Sequence, residues 1–298
     1  QQTLEPAARR CRLTVFAGDH GIAAAGVSAF PQEVTRQMLL NFLAGGAAAN
    51  VIARALGVEF AVVDAGIMGP AVERPDLVSR RIAGGTRNSI ERPAMSAAQC
   101  EDALQAGREI GGDGDHEAAC FGEIGIGNTS SASLVAAKLL GLPVAGLVGR
   151  GTGVDDAGLA RKRRVLEAAA ARTPGELGPD TALREYGGFE SVMLAGAVLG
   201  AAGAGKLVLV DGFIATVSAL AAVRRSPEVM RNLVFAHRSA EPGHSVVLEA
   251  LGADPLLDLD MRLGEGTGAL LAWPIVRAAA AMLRDMASFE SAGVSGRK

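Results

Sequence analysis

The sequence predicts an α/β protein, with a Rossmann-like parallel sheet and helices on both faces. Two observations carry that expectation. Short β-branched runs alternate with Ala- and Leu-rich segments of helical period. Glycine-rich loops follow the strand-like runs, after Ala17, Asp64, Gly122, Val148 and Val210. In a parallel sheet such loops gather at one edge, outside the carboxyl ends of the strands, where ligands bind.

Taken in order, residues 13–17 read as the first strand, followed by a loop and a helix over 32–56. Residues 60–64 are the next strand, and 66–94 a Gly- and Pro-punctuated loop or edge region. Ser96 and Gln99 have the spacing of a capping box, which predicts a helix start. Residues 119–122 form a strand, and 129–140 a helix stopped by Gly141 and Pro143. A strand over 144–148, the loop 149–153 and a helix near 157–171 repeat the pattern. Residues 189–202 read as another helix. The run 207–210 is a strand that leads through Asp211-Gly212 into a helix, and 233–236 is the last strand. His237 and His244 flank Glu241-Pro242-Gly243, read as a turn, and both histidines are expected to be structural. The apolar stretch 269–282 contains Pro274 and Arg277 and is too short to span a membrane, so it reads as a buried helix.

Composition narrows the function classes. A chain of 298 residues with 49% hydrophobic content can bury one large domain, or a large one plus a small one. Charged residues are 20% and the net charge is -3, so no nucleic-acid partner is expected. The one dense basic run, Arg161-Lys162-Arg163-Arg164, is short and falls on a helix. The three cysteines lack C-x-x-C spacing, which fits a reducing cytoplasm better than a disulfide framework. The four histidines form no H-x-x-x-H pair, so no metal is expected. With Glu5, Arg9, Arg10 and Arg12 and no apolar core, the first residues are not expected to be a signal peptide.

The chemistry concentrates in the loops. In Met261-Arg262-Leu263-Gly264-Glu265-Gly266-Thr267-Gly268 one carboxylate sits among three glycines, before an apolar helix. Glycines allow close approach to a ligand, and poor solvation raises a carboxylate toward the range of a working base. Two more acidic glycine loops join it, Gly18-Asp19-His20-Gly21 and Gly122-Glu123-Ile124-Gly125-Ile126-Gly127-Asn128-Thr129. Asp19 and Asp211 are read equally well as turn-fixing residues.

Gly149-Arg150-Gly151-Thr152-Gly153 offers backbone N–H groups before a helix, as anion sites do; an ordinary turn is the alternative. Asn128-Thr129 and Lys162 strengthen the anion reading, although Lys162 alone reads as a solvated helix charge. The run 200–206 nearly matches a phosphate-binding P-loop, but Leu207 replaces the required Ser or Thr and the run precedes a strand. A G-x-G-x-x-G dinucleotide fingerprint is absent from 149–153 and from 125–130.

These loops, in this order, resemble the nicotinate-nucleotide–dimethylbenzimidazole phosphoribosyltransferase family of cobalamin biosynthesis. The matching pieces are Ala17-Gly18-Asp19-His20-Gly21, Pro31-Gln32-Glu33-Val34-Thr35, the run 122–129, Gly187-Gly188-Phe189-Glu190, Asp211-Gly212-Phe213, and 261–268 with Pro274-Ile275-Val276. The resemblance implies transfer of the 5-phosphoribosyl group of nicotinate mononucleotide to dimethylbenzimidazole, without a cofactor or metal. It implies that Glu265 is the base that takes the acceptor's ring proton. Glu123, Phe30, Met38 and Leu263 would lie at the accepted ring. Gly125, Asn128, Thr129, Gly149, Gly151 and Lys162 would cradle the phosphoribosyl group.

The resemblance also implies a cytoplasmic homodimer, a large domain over 12–255, and a small helical domain from 1–11 and 256–298. The family's leading segment with Lys-Pro-Gly-Ser-Leu-Gly has no counterpart before the first strand, so an incomplete small domain is expected. Phe30 and Met38 stand where a member of the family carries polar residues, which predicts a more apolar ring pocket. Two other classes share the same features: a nucleotide-binding regulator without turnover, and a nucleotide hydrolase in which Glu265 activates water.

Overall fold

The structure is a computed structural model that describes residues 3–295. At its centre is a six-stranded sheet in which every pairing is parallel. Its strands are β1 (Cys11–Gly18), β2 (Glu59–Gly66), β3 (Leu77–Ser79), β4 (Ala118–Ile124), β5 (Leu207–Val210) and β6 (Leu233–Phe235). They lie in space as β3-β2-β1-β4-β5-β6. The chain reverses its direction of winding between β1 and β4, and a ligand crevice opens at such a point. A separate pair, β7 (His237–Ser239) and β8 (Leu257–Met261), stands beyond β6.

The helices are α1 (Glu33–Leu43), α2 (Ala48–Leu56), α3 (Ala97–Gly112), α4 (Asn128–Leu140), α5 (Asp156–Ala171), α6 (Pro179–Tyr186), α7 (Phe189–Gly203), α8 (Phe213–Arg225), α9 (Pro242–Leu251) and α10 (Thr267–Asp285). Strand alternation assigns them to two apolar layers. Phe16, Val63, Phe121 and Val210 face a layer filled by α3 to α9. Leu13, Val15, Val62, Cys120 and Leu209 face a layer covered by α1, α2 and the start of α10. In the first layer α3 and α7 meet backbone to backbone, because a Cβ on Gly107 or Gly196 would overlap a carbonyl of the other helix. Small residues thus replace aromatics as the means of close packing.

The capping box forms as predicted: Gln99 N–H donates to Ser96 Oγ at 3.1 Å, and Ser96 N–H to Gln99 Oε1 at 2.9 Å. Elsewhere tertiary structure overrides local pattern. The helix expected over 32–56 is two helices, broken at Gly45, where φ is 75°. Asn50 secures the break by accepting from Ala47 N–H and donating to the Phe42 carbonyl. The stretch Glu33–Leu56 is apolar enough by composition to cross a membrane, but here it is this broken pair, packed on β1, β2 and α10.

The strand expected at 144–148 is a single 3-10 turn, Val144–Leu147. β4 already pairs with β1 on one side and β5 on the other, so the sheet has no edge for it there. Its Val144 and Leu147 are buried against the first layer instead. The strand expected at 233–236 is not the last, since β7 and β8 follow. The turn expected at Glu241-Pro242-Gly243 opens α9, with Pro242 in the first helical turn, where a missing N–H costs nothing. The buried helix expected at 269–282 is buried only at its start; Ile275, Met282 and Leu283 are exposed. Residues 1–2 and 296–298 of the expected small domain lie outside the described residues.

Candidate active site

The crevice at the carboxyl ends of β4 and β5 is walled by Glu123, Asn128, Thr129, Gly151, Asp211, His237, Ser239, Glu241, Arg262 and Leu263, around about 670 Å³ that is partly open to solvent. Five chain segments supply these residues, and the sheet brings them to one edge.

Glu265 stands on the turn before α10. Gly264, Glu265 and Gly266 have φ of 79°, 63° and 82°, three left-handed residues in succession. A side chain in that region costs about 1–2 kcal/mol, so the surroundings must hold it there. They do so by contact: a Cβ on Gly122 of β4 would overlap the Glu265 carbonyl, and one on Gly266 would meet Leu13. The Glu265 carboxylate is buried and accepts a bond from Ala49 N–H, the second residue of α2, at 3.4 Å. Burial pushes its pKa up; the Ala49 bond opposes this and the nearby Asp211 adds to it.

Glu123 closes β4 on the opposite side of that turn. The Asn128 amide donates to its Oε2, and the Glu265 N–H points to the same carboxylate. Burial drives its pKa well above the usual range, and the carboxylates of Asp211, Glu190 and Glu265 push the same way. Glu123 therefore carries a proton more readily than a free glutamate.

The loop 125–129 turns from β4 into α4. A Cβ on Gly125 would overlap the Gly18 carbonyl, so the β1 and β4 loops touch through bare backbone. Thr35 Oγ1 of α1 accepts Ile126 N–H at 3.0 Å. Beneath the loop His20 Nε2 and Glu190 Oε1 pair at 2.8 Å, both fully buried. Burial lowers the His20 pKa, but the Glu190 charge and hydrogen bond outweigh it and hold His20 above its ordinary value.

The second loop, 149–153, meets the first across Lys162. The lysine reaches up from α5 and is 1% exposed, with Nζ donating to Thr129 Oγ1 at 3.0 Å and to the Gly149 carbonyl at 3.1 Å. Burial lowers its pKa to about 8, partly offset by Glu241. Together with Gly125, Asn128, Thr129 and Gly151 it lines a small recess at the N-terminus of α4, adjoining the main crevice. Backbone N–H groups, a helix N-terminus and one ammonium are the parts of a phosphate cradle. Glu241 Oε1 accepts Gly151 N–H at 2.9 Å, and Arg262 donates to the Gly151 carbonyl at 3.1 Å, so the loop is tied from both sides.

Leu263 is 57% exposed at the mouth of the crevice. Phe30 and Met38, expected at a ring pocket, are not on its wall. Phe30 is 49% exposed in the bend before α1, and Met38 packs against the layer of apolar residues under that helix. Asp211, His237, Glu241 and Arg262 were not singled out from the sequence as site residues, yet all four line the crevice. Only Asp211 carried a signal, as the acid before a glycine at a strand end. No group of His, Cys, Asp and Glu among the described residues could hold a metal ion.

Buried carboxylates beside a recess of backbone N–H groups and one ammonium, at the carboxyl edge of a parallel sheet, make a site suited to a phosphorylated ligand. The family model described as a phosphoribosyltransferase matches residues 1–294. A nicotinate-nucleotide–dimethylbenzimidazole phosphoribosyltransferase from Dechloromonas aromatica is 53% identical over all of this chain and 87% of its own length. The protein of that name from Pseudomonas aeruginosa is 50% identical over 98% of this chain and 84% of its own length. The crystal structure of CobT from Thermus thermophilus superposes with a TM-score of 0.94 at 47% identity, over 98% of this chain and 89% of that one. The chain belongs to this phosphoribosyltransferase family.

Proposed function

We propose that this protein transfers the 5-phosphoribosyl group of nicotinate mononucleotide to 5,6-dimethylbenzimidazole, giving α-ribazole 5′-phosphate and nicotinate for the lower ligand of cobalamin. The observation that carries the reading is the buried Glu265 carboxylate, held on a left-handed turn at the same sheet edge as the Lys162 recess. The bond from ribose C1′ to the pyridinium nitrogen breaks, and its electron pair leaves with a neutral pyridine ring. A benzimidazole nitrogen attacks C1′ from the opposite face, which inverts the anomeric centre. The proton on the other ring nitrogen passes to Glu265. The leaving group departs without needing a Lewis acid.

In this reading the 5′-phosphate lies on Gly125, Asn128, Thr129, Gly149, Gly151 and Lys162, while Glu123 and Leu263 face the accepted ring. The division into a large domain over 12–255 and a smaller unit from the chain ends belongs to the same proposal. So do pairing of two copies and a cytoplasmic setting. The exposed Ile275, Met282 and Leu283 support the pairing, and the three unpaired cysteines support a reducing compartment.

The test is release of nicotinate from nicotinate mononucleotide with and without dimethylbenzimidazole. Release that requires the base, with one ribazole phosphate formed per nicotinate, is expected. Base-independent release would indicate a hydrolase, and binding without release a regulator.

A further inference from the structure

Asp211 follows β5 and immediately precedes α8, yet it does not cap that helix. α8 has Gly212 at its N-cap and no side-chain cap bond. The buried Asp211 carboxylate turns instead to a helix more than fifty residues further along the chain. Its Oδ2 accepts Gly266 N–H at 3.2 Å and its Oδ1 accepts Ala269 N–H at 3.0 Å, with Gly268 N–H directed to the same group. Those are the first N–H groups of α10, which otherwise has no side-chain cap. The first of them belongs to the residue directly after Glu265. His237 Nε2 stands 3.6 Å from Asp211 Oδ1.

Resting on the phosphoribosyl-transfer reading above, we propose that Asp211 is the positioning residue for Glu265, clamping its left-handed turn through the Gly266 and Ala269 N–H groups. A helix N-terminus needs acceptors, and any serine or aspartate next to it in sequence would serve. An acceptor supplied from β5 does more, because it fixes where the turn lies relative to the sheet edge. The turn is then set against Gly122 of β4 from one side and Asp211 from the other. The groups that face Glu265 are Glu123 from β4, Asp211 after β5, and the Ala49 N–H from α2, with His237 of β7 behind Asp211. Glu123 takes the Glu265 N–H, whereas Asp211 takes the N–H groups on the α10 side of the turn, at Gly266 and Ala269.

The test is Asp211→Asn, alone and combined with Glu265→Gln, in the full chain. Wild-type release of nicotinate only with dimethylbenzimidazole secures the reading on which the inference rests; its absence overturns both. In Asp211→Asn, kcat is expected to fall about tenfold or more, with KM for nicotinate mononucleotide within about threefold. The acid limb of the kcat profile should move to lower pH, since a charge opposing ionisation of Glu265 has gone. In the Glu265→Gln background the same change should lower kcat no further. If the asparagine variant does not melt cooperatively, Asp211→Ser is measured in the same way, its hydroxyl supplying one smaller acceptor. A fall in kcat with an unmoved acid limb, or equal losses in both backgrounds, would mean a general structural role and overturn the proposal.

Discussion

Gly122 lies directly against Glu265: the backbone of β4 and the Glu265 carbonyl are in contact with no side chain between them. This ties the position of Glu265 to the centre of the sheet. Gly122→Ala should force the two apart, costing about 1–3 kcal/mol of stability as overpacking does. Because the turn moves with it, kcat should fall by more than the loss of folded protein explains. Chemical denaturation and active-site titration on one preparation measure the two effects separately.

Glu265→Gln keeps the shape of the side chain and removes the proton acceptor. General-base catalysis is worth about 10²–10⁴ in rate, so kcat should drop by that order with an unchanged melting transition. In the wild type, burial raises the Glu265 pKa, so activity should be lost as pH falls through a value above the ordinary glutamate range. Near-normal turnover in the glutamine variant would remove Glu265 from the role of base.

Lys162→Ala should weaken binding of nicotinate mononucleotide by about 1.5–3 kcal/mol, the scale of a hydrogen bond to a charged group. Binding of free dimethylbenzimidazole should change much less. Burial brings Lys162 to about 8, so nucleotide affinity should decline as pH rises past that value and the ammonium is lost. Calorimetry across that range should show the decline in the wild type and its absence in the variant.

The His20–Glu190 pair predicts a pH-dependent stability. The folded-state pKa of His20 is raised, so its contribution is present below the unfolded value of 6.5 and lost as pH rises through the folded one. Glu190→Gln removes the partner of a buried charge, which costs about 3–5 kcal/mol when both were ionised. Denaturation of variant and wild type should differ more at about pH 6 than at about pH 9. A constant difference would mean that His20 is neutral throughout.

Most of the sheet is legible in the sequence, because β1, β2, β4 and β5 are short, largely apolar runs that lead into glycine-rich or acidic loops, and β6 is the apolar run Leu233–Phe235. What is illegible is competition for neighbours. The run 144–148 is as strand-like as β5, yet only β5 has a free edge of β4 to join. The break at Gly45 depends on Asn50 reaching Phe42 and Ala47, contacts that a periodicity cannot display.

The site divides the same way. Glu265 and Glu123 are legible from the glycines around them. The burial of Lys162 is not, since a run of four basic residues on a helix signals water rather than a recess. Asp211, Glu241 and Arg262 are held at the crevice by bonds to partners some fifty to a hundred residues away, which no local pattern displays. Phe30 and Met38, which the resemblance places at the accepted ring, lie off the wall of this crevice.

The strand order β3-β2-β1-β4-β5-β6 carries a consequence for how this activity can be lost. Glu123 and Gly264 come within contact only because the middle of the chain has crossed the sheet and returned. No contiguous piece contains both the Lys162 recess and Glu265 without also containing β5, β6 and everything between them. On heating, turnover and the parallel sheet should disappear in one transition, and a nicked chain should be active only while its pieces stay docked.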